Sequence, residues 1–251
     1  MKPSCARVFV LAALLFSVMA CNQPAENPGA SKPSSSAERL PNTLSEAEIK
    51  AGWRLLFDGQ TTNGWRGVYQ DDVPPDRWVV EDGTLRIVGE AKGFASIITE
   101  EQFGRFELSL EFKIEEGANS GIKYFVLERE PPTPGRGLGP EYQIWDDQQA
   151  REANRKMAAL YDLIVPEDKE IRPLETFNEA RIVVRGDSVE HWLNGRPVVR
   201  YVRGSEDFRK RIEQSKYRDI EGFGMARQGH ILLQDEGGHR VWFRSIKIRE
   251  L

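Results

Sequence analysis

Nine consecutive residues, Phe106-Glu-Leu-Ser-Leu-Glu-Phe-Lys-Ile114, alternate apolar and polar without a break. Phe106, Leu108, Leu110, Phe112 and Ile114 fall on one side; Glu107, Ser109, Glu111 and Lys113 fall on the other. Period two is the signature of a β-strand with one face in a core and one in water. Such a strand cannot be stable alone, and the chain supplies partners. Arg77–Glu81 and Thr84–Val88 flank Asp82-Gly83, a strong hairpin signal. Glu179–Arg185, Ser188–Leu193 and Arg196–Tyr201 form a meander through Gly186-Asp187 and Asn194-Gly195. Ile231–Glu236 and Val241–Ile248 form a closing pair around Gly237-Gly238. Trp53–Phe57, Ala95–Thr99, Ile122–Val126 and Ala158–Val165 are shorter strand candidates. Turn signals at intervals of about eight to twelve residues predict an all-β sandwich or barrel.

Two helices decorate this pattern. Ser45 with Glu48 three residues later makes a capping box, and Leu44 can staple to Ile49. Ser205 can cap a second helix reaching about Ser215, with Phe208 and Ile212 as its buried stripe. There is no internal repeat, no βαβ alternation and no phosphate loop. Acidic and basic residues are interspersed and the formal net charge is −4, so the concentrated basic face of a nucleic-acid binder is absent.

The first residues read as an address. Lys2 and Arg7 form a positive n-region, and the apolar run Val8–Val18 is too short to span a bilayer. Val18-Met19-Ala20-Cys21 follows, and a small residue before Cys at this place resembles a bacterial lipobox. The expected product is a cell-envelope lipoprotein, facing the periplasm or the cell surface, that begins at Cys21 and is held to the membrane by lipid on that residue. An ordinary signal peptide with an incidental Cys21 is the alternative. Of the two cysteines, Cys5 lies in the signal, so the mature chain can form no internal disulfide. Its stability must come from a core, which about 200 residues can supply. Residues 22–44 form an expected tether, rich in Pro, Ser, Ala and Asn as far as Ala37 and poor in apolar bulk. The folded domain is then 45–251.

The stretch richest in chemistry is Gly139-Pro-Glu-Tyr-Gln-Ile-Trp-Asp-Asp147. As a strand it puts Tyr142, Ile144 and Asp146 on one side, and Glu141, Gln143 and Trp145 on the other. A carboxylate, an amide and an indole on one face can bind a sugar: the ring packs on C–H groups while the polar groups take hydroxyls. A half-exposed strand with a solvated side satisfies the same pattern. Before it, Glu128–Gly139 is a long loop of prolines and glycines, of the kind that lines sites.

Several motifs occur in one order: Leu56-Phe-Asp-Gly59 with Gly64-Trp65, Trp78 with Asp82-Gly-Thr-Leu85, Asn119-Ser-Gly-Ile122, Glu141-Tyr-Gln-Ile144, Leu160-Tyr-Asp162, His191-Trp-Leu-Asn-Gly195, and Leu233-Gln-Asp235 with Phe243-Arg and Ile246-Lys-Ile248. Together they resemble the 3-keto-disaccharide hydrolase family over about Trp53 to Leu251. The resemblance implies a concanavalin/LamG-like jelly-roll β-sandwich of two antiparallel sheets with short helices. It also implies cleavage of glycosides already oxidised at C3. A ketone at C3 acidifies the C2 hydrogen; a base removes it, the enolate expels the group at C1, and water adds. The facing carboxylates of an ordinary glycosidase are not needed. A base tuned near the working pH and a positive or hydrogen-bonding partner for the enolate oxygen are.

The candidates follow from residue type. Glu141 is the expected base, Lys123 the cation for the enolate, and His191 a base or metal ligand, although His191 shares a face with Val189 and Leu193 and equally suits a packed core. Gln143, Trp145, Asn119 and Gln234 are expected substrate-binding residues. A divalent cation can replace Lys123 in holding the enolate, with Asp235 and Glu236 as its candidate ligands; no other cofactor is implied. The family's usual residues differ at three places, where this chain has Glu236 for His, Phe177 for Trp and Ser245 for Asn. The expected partners are an oxidised 3-keto sugar, a membrane through the lipid anchor, and a separate oxidoreductase that installs the ketone; no nucleic acid is expected. A lipid-anchored carbohydrate-binding module without turnover is the competing function. A concanavalin-like glucanase is disfavoured, because its Glu-x-Asp-x-x-Glu strand is missing and Gln143 stands where the Asp would be.

Overall fold

The computed structural model describes residues 40–132 and 135–251. The expected signal segment 1–21 with its lipidated Cys21, and the tether as far as residue 39, lie outside the described residues. Among the described residues thirteen strands are formed. They are β1 (Arg54–Leu55), β2 (Trp65–Gly67), β3 (Trp78–Glu81), β4 (Thr84–Ile87), β5 (Ile97–Thr99), β6 (Phe106–Ile114) and β7 (Asn119–Val126). After these come β8 (Glu141–Trp145), β9 (Asn178–Arg185), β10 (Ser188–Leu193), β11 (Arg196–Val202), β12 (His230–Leu233) and β13 (Val241–Glu250). Helices α1 (Glu46–Lys50) and α2 (Glu206–Glu213) are both capped by serine, Ser45 and Ser205.

The strands make two antiparallel sheets. One runs β11-β10-β9-β6-β13-β4-β3, with β1 also on β13; the other runs β2-β5-β12-β7-β8. The molecule is a jelly-roll β-sandwich. The hairpin signals act through backbone geometry: Asp82-Gly83 (φ 48 and 69) and Asn194-Gly195 (φ 49 and 81) are left-handed at both central positions, as a tight two-residue turn between twisted strands requires.

The five apolar residues of β6 are buried between the sheets, where Phe106 meets Tyr124 and Phe125 of the second sheet. Burial of each such aromatic ring stabilises the fold by roughly 1.5–3 kcal/mol. The outer face of β6 is drier than expected. Glu107 is buried between Arg181 (3.0 Å) and Arg249 (2.5 Å), so charge pairing replaces solvation there.

Three local expectations are corrected. Ala158–Val165 is not a strand, because Ala158 and Asp162 adopt φ of 67 and 64. The segment turns instead, and lies along the free edge of β8 with Ala158 N donating to Gln143 O and Tyr161 N to Glu141 O. β7 begins at Asn119, three residues ahead of the expected strand Ile122–Val126. Strict alternation along the expected strand Ile122–Val126 would put Phe125 on the Lys123 side, but its φ is 56 and the β7–β12 register shifts opposite it. That bulge turns Phe125 into the inter-sheet core and sends Val126 to the outer side, beside Leu232, Ile98 and Val68.

The last residues assigned to the tether rest on the domain. Asn42 donates through Nδ2 to Gly83 O (2.8 Å) and accepts at Oδ1 from Ser245 N (2.7 Å).

Candidate active site

The outer face of the second sheet carries a cavity of about 440 Å³, within the ~300–1,000 Å³ typical of small-molecule sites. Strand pairing decides what stands on it. Lys123 is the register partner of Glu141, Gly121 of Gln143, and Asn119 of Trp145, while Gln234 N bonds Gly121 O from the end of β12. With side chains alternating along each strand, Asn119, Lys123, Glu141, Gln143, Gln234 and Glu236 all line the cavity. Three elements far apart in sequence thus supply one polar floor.

Glu141 is its centre. It is only 4% exposed, with Oε2 lying 3.5 Å from Lys123 Nζ. Its carboxylate leans over Gly121, where a Cβ would sit 2.4 Å from Oε1; the missing side chain makes that seat possible. With the Gln143 amide turned to suit its neighbours, its nitrogen donates to Glu141 Oε1 at 2.8 Å and to Ser120 O at 3.1 Å. Burial pushes the Glu141 carboxyl above the usual carboxylate range, opposed by Lys123 and Lys216. Such a carboxylate is a stronger base than an ordinary exposed one.

Glu236 is held at Oε2 by Asn119 Nδ2 (2.6 Å). Burial, then the Glu141 charge, raises its carboxyl as well. Gln234 is 5% exposed, and its Oε1 has no hydrogen-bond partner among the described residues. A buried acceptor left open in a cavity wall fits a ligand hydroxyl.

The structure adds residues that the sequence did not single out. Lys216 lines the cavity from beyond α2, its backbone N–H fixed by Asp162 Oδ2 at 2.9 Å; desolvation lowers its ammonium. Tyr161 comes from the turn beside β8, with its phenol pushed up to about 12 by burial. Tyr69 and Phe94 form the rim, and Arg136 stacks on Phe94 at 3.8 Å. Gly137 packs where a Cβ would lie 2.4 Å from Leu232 Cδ1, so the glycine-rich loop closes tightly over the outer apolar cluster.

Three expected site residues stand elsewhere. His191 is 0% exposed, between the sheets. Its Nδ1 faces Ala158 O (3.2 Å) and its Nε2 the Tyr124 hydroxyl (2.9 Å), which also meets Tyr201 (2.7 Å). The carbonyl can only accept, so Nδ1–H donates to it and the tyrosine donates to Nε2. Burial pulls the imidazole down to about 4, leaving it neutral. It is a core histidine tying β10 to β7, not a base or ligand in the cavity. Trp145 is partly buried on the Glu141 side of β8 but past the cavity's edge; Tyr69, Phe94 and Tyr161 supply the rings instead.

Asp235 is not poised to hold a metal. It is fully buried, ion-paired to Arg77 Nη2 at 2.6 Å, and its Oδ1 accepts from Gly237 N at 2.7 Å. Since Ala95 N donates to Asp235 O, this pairing braces the loop that carries Phe94. Among the described residues no three His, Cys, Asp or Glu side chains gather as a metal site. Asp235 is therefore not available as a ligand beside Glu236.

Residues 52–249 match the model of the 3-keto-alpha-glucoside-1,2-lyase-like domain. A 3-keto-disaccharide hydrolase of Bacteroides thetaiotaomicron is 32% identical over 230 residues, covering 80% of this chain and 79% of that protein. The crystal structure of a proposed glycosyl hydrolase from Parabacteroides distasonis superposes with a TM-score of 0.76 at 31% identity, covering 84% of this chain and 100% of the other. A second such protein from that organism gives a TM-score of 0.58 at 26% identity, over 79% and 99%. With a sugar-sized polar cavity on a jelly roll and relatives matched over most of their length, the chain belongs to the 3-keto-disaccharide hydrolase family, a family of carbohydrate-acting proteins.

Proposed function

We propose that this protein cleaves 3-keto-disaccharides and related 3-keto-glycosides by proton removal at C2, elimination at C1 and hydration. The observation that carries this is the buried Glu141 carboxylate beside the Lys123 ammonium on the cavity floor. Glu141 takes the C2 proton, and the electron pair moves into the C2–C3 bond and onto the C3 oxygen. Lys123 and Lys216 hold that oxyanion, a preorganised electrostatic role. The C3 carbonyl then re-forms, a C1–C2 double bond appears and the C1–O bond breaks. Water adds its oxygen to C1 and a proton returns to C2, so the net change is hydrolysis. Asn119, Gln143 and Gln234 offer amides to hydroxyl groups, and Tyr69, Phe94 and Tyr161 offer ring faces. No metal-bound step is invoked.

The C3 ketone must be installed first by an oxidoreductase that removes hydride from C3, since this sequence has no dinucleotide loop. The address at Cys21 supports a lipid-anchored envelope protein, with the tether lifting the domain off the membrane.

The test incubates the purified full chain with 3-keto-trehalose and, in parallel, trehalose. Release of 3-keto-glucose and glucose from the oxidised sugar alone is expected, with E141Q retaining binding but losing turnover. Binding of either sugar with no turnover would instead mark a carbohydrate-binding module.

A further inference from the structure

The second carboxylate in the cavity has no part in the base and oxyanion roles. Two amides lie between Glu141 and Glu236: the turned Gln143 donates to Glu141 Oε1 (2.8 Å), and Asn119 Nδ2 donates to Glu236 Oε2 (2.6 Å). Their surroundings differ. Glu141 has the Lys123 ammonium at 3.5 Å. Glu236 makes no ion pair among the described residues, and its Oε1 makes no hydrogen bond there, while its Oε2 is pinned by Asn119. Among the described residues no cation stands at ion-pair distance from Glu236, and its Oε1 is the oxygen left open to a departing or incoming group. Two carboxyls driven apart in this way divide the acid and base work. Burial, then the Glu141 charge, raises the Glu236 carboxyl, opposed by Lys123, Lys216 and Arg136.

From this, and resting on the elimination reading above, we infer that Glu236 is the general acid that protonates the departing glycosidic oxygen and then the base that activates the incoming water. As the enolate collapses and C1–O breaks, the Glu236 proton passes to that oxygen and the aglycone leaves as a neutral alcohol. Glu236 is then a carboxylate and Glu141 carries the C2 proton. In hydration, Glu236 takes a proton from water as the water oxygen bonds C1, and Glu141 returns its proton to C2. Both groups are reset, and no oxidant or reductant is used.

Leaving-group dependence isolates this role. Glucose is a poor leaving group and needs a proton; nitrophenolate does not. Rates of bond cleavage are measured for the wild type, E236Q and E141Q on 3-keto-trehalose and on 4-nitrophenyl 3-keto-α-glucoside, less the spontaneous rate. In single-turnover cleavage E236Q is expected to lose on the order of 10²–10⁴-fold on the disaccharide, the usual span for general acid catalysis, with a much smaller loss in release of the first equivalent of nitrophenolate, while its later turnovers slow on both substrates. Thermal unfolding checks that the variant is folded. E141Q should fail on both. Equal single-turnover losses by E236Q on the two substrates, or none on the disaccharide, would overturn the assignment while leaving the elimination intact. If the wild type cleaves neither substrate, the elimination reading itself falls and the role of Glu236 falls with it.

Discussion

Lys123 Nζ lies 3.5 Å from Glu141 Oε2, and the two residues are register partners across the β7–β8 ladder. The strand pairing itself thus sets a cation against the carboxylate. Replacing the ammonium in K123M should lower kcat/KM by about 10²–10³-fold, the usual effect of removing one oxyanion donor. Lys123 also lowers the Glu141 carboxyl; without it, the acidic limb of the pH–rate profile should move to higher pH. A limb that stays in place or moves down would separate Lys123 from the Glu141 titration.

Gly121 leaves room for the Glu141 carboxylate, since an added Cβ would lie 2.4 Å from Oε1 and 2.9 Å from Cγ. G121A should push the base aside and lower kcat by about 10²-fold, as small misplacements of a reacting group do. Thermal unfolding should show the fold intact. An unchanged kcat would mean that Glu141 need not sit where it does.

His191 predicts acid sensitivity of the fold rather than of catalysis. Its imidazole drops from 6.5 to about 4 on folding, so the unfolded state binds the extra proton between those values. The neutral histidine's contribution is fully present above pH 6.5 and is lost as pH falls toward about 4, amounting to on the order of 3 kcal/mol. H191Q should flatten this part of the stability–pH curve measured by urea unfolding. It should also cost about 1–3 kcal/mol at pH 7.5 through imperfect bonds to Tyr124 and Ala158. The same slope in wild type and variant would refute the burial argument.

Asp235 is expected to behave as a structural ion, not a ligand. D235A leaves Arg77 buried without its partner and should destabilise the domain by about 3–5 kcal/mol. The double variant R77M/D235L should recover part of that loss. Added divalent cations should leave the wild-type Tm unchanged; a concentration-dependent rise would restore Asp235 as a metal residue.

Cys21 is the expected lipid attachment point. C21S should move the protein from the membrane fraction to the soluble fraction in the native host, followed by immunoblotting. Persistent membrane association would point to another anchor.

Much of this protein is determined locally. The alternation in Phe106–Ile114 defines β6 because side-chain parity in a strand is a covalent consequence of the pleat. Asp82-Gly83 and Asn194-Gly195 define two hairpins because these residues tolerate positive φ. The same parity put Glu141 and Gln143 on one face, and the ordered motifs marked the family.

Tertiary structure decided what parity and motif could not. The bulge that turns Phe125 inward depends on the register with β12, on a strand about a hundred residues later. His191 and Trp145 have residue types suited to a sugar site, yet one is enclosed between sheets and the other lies past the cavity edge, because identity does not report enclosure. Asp235 looks like a ligand until Arg77 arrives from β3's approach to neutralise it. Lys216 reaches the cavity from beyond α2 through the turn fixed by Asp162, and no local pattern marks it. Sequence thus determined the strands and much of the floor. Which charges face one another was set by long-range pairing, because Coulomb and desolvation energies depend on distance through space rather than along the chain.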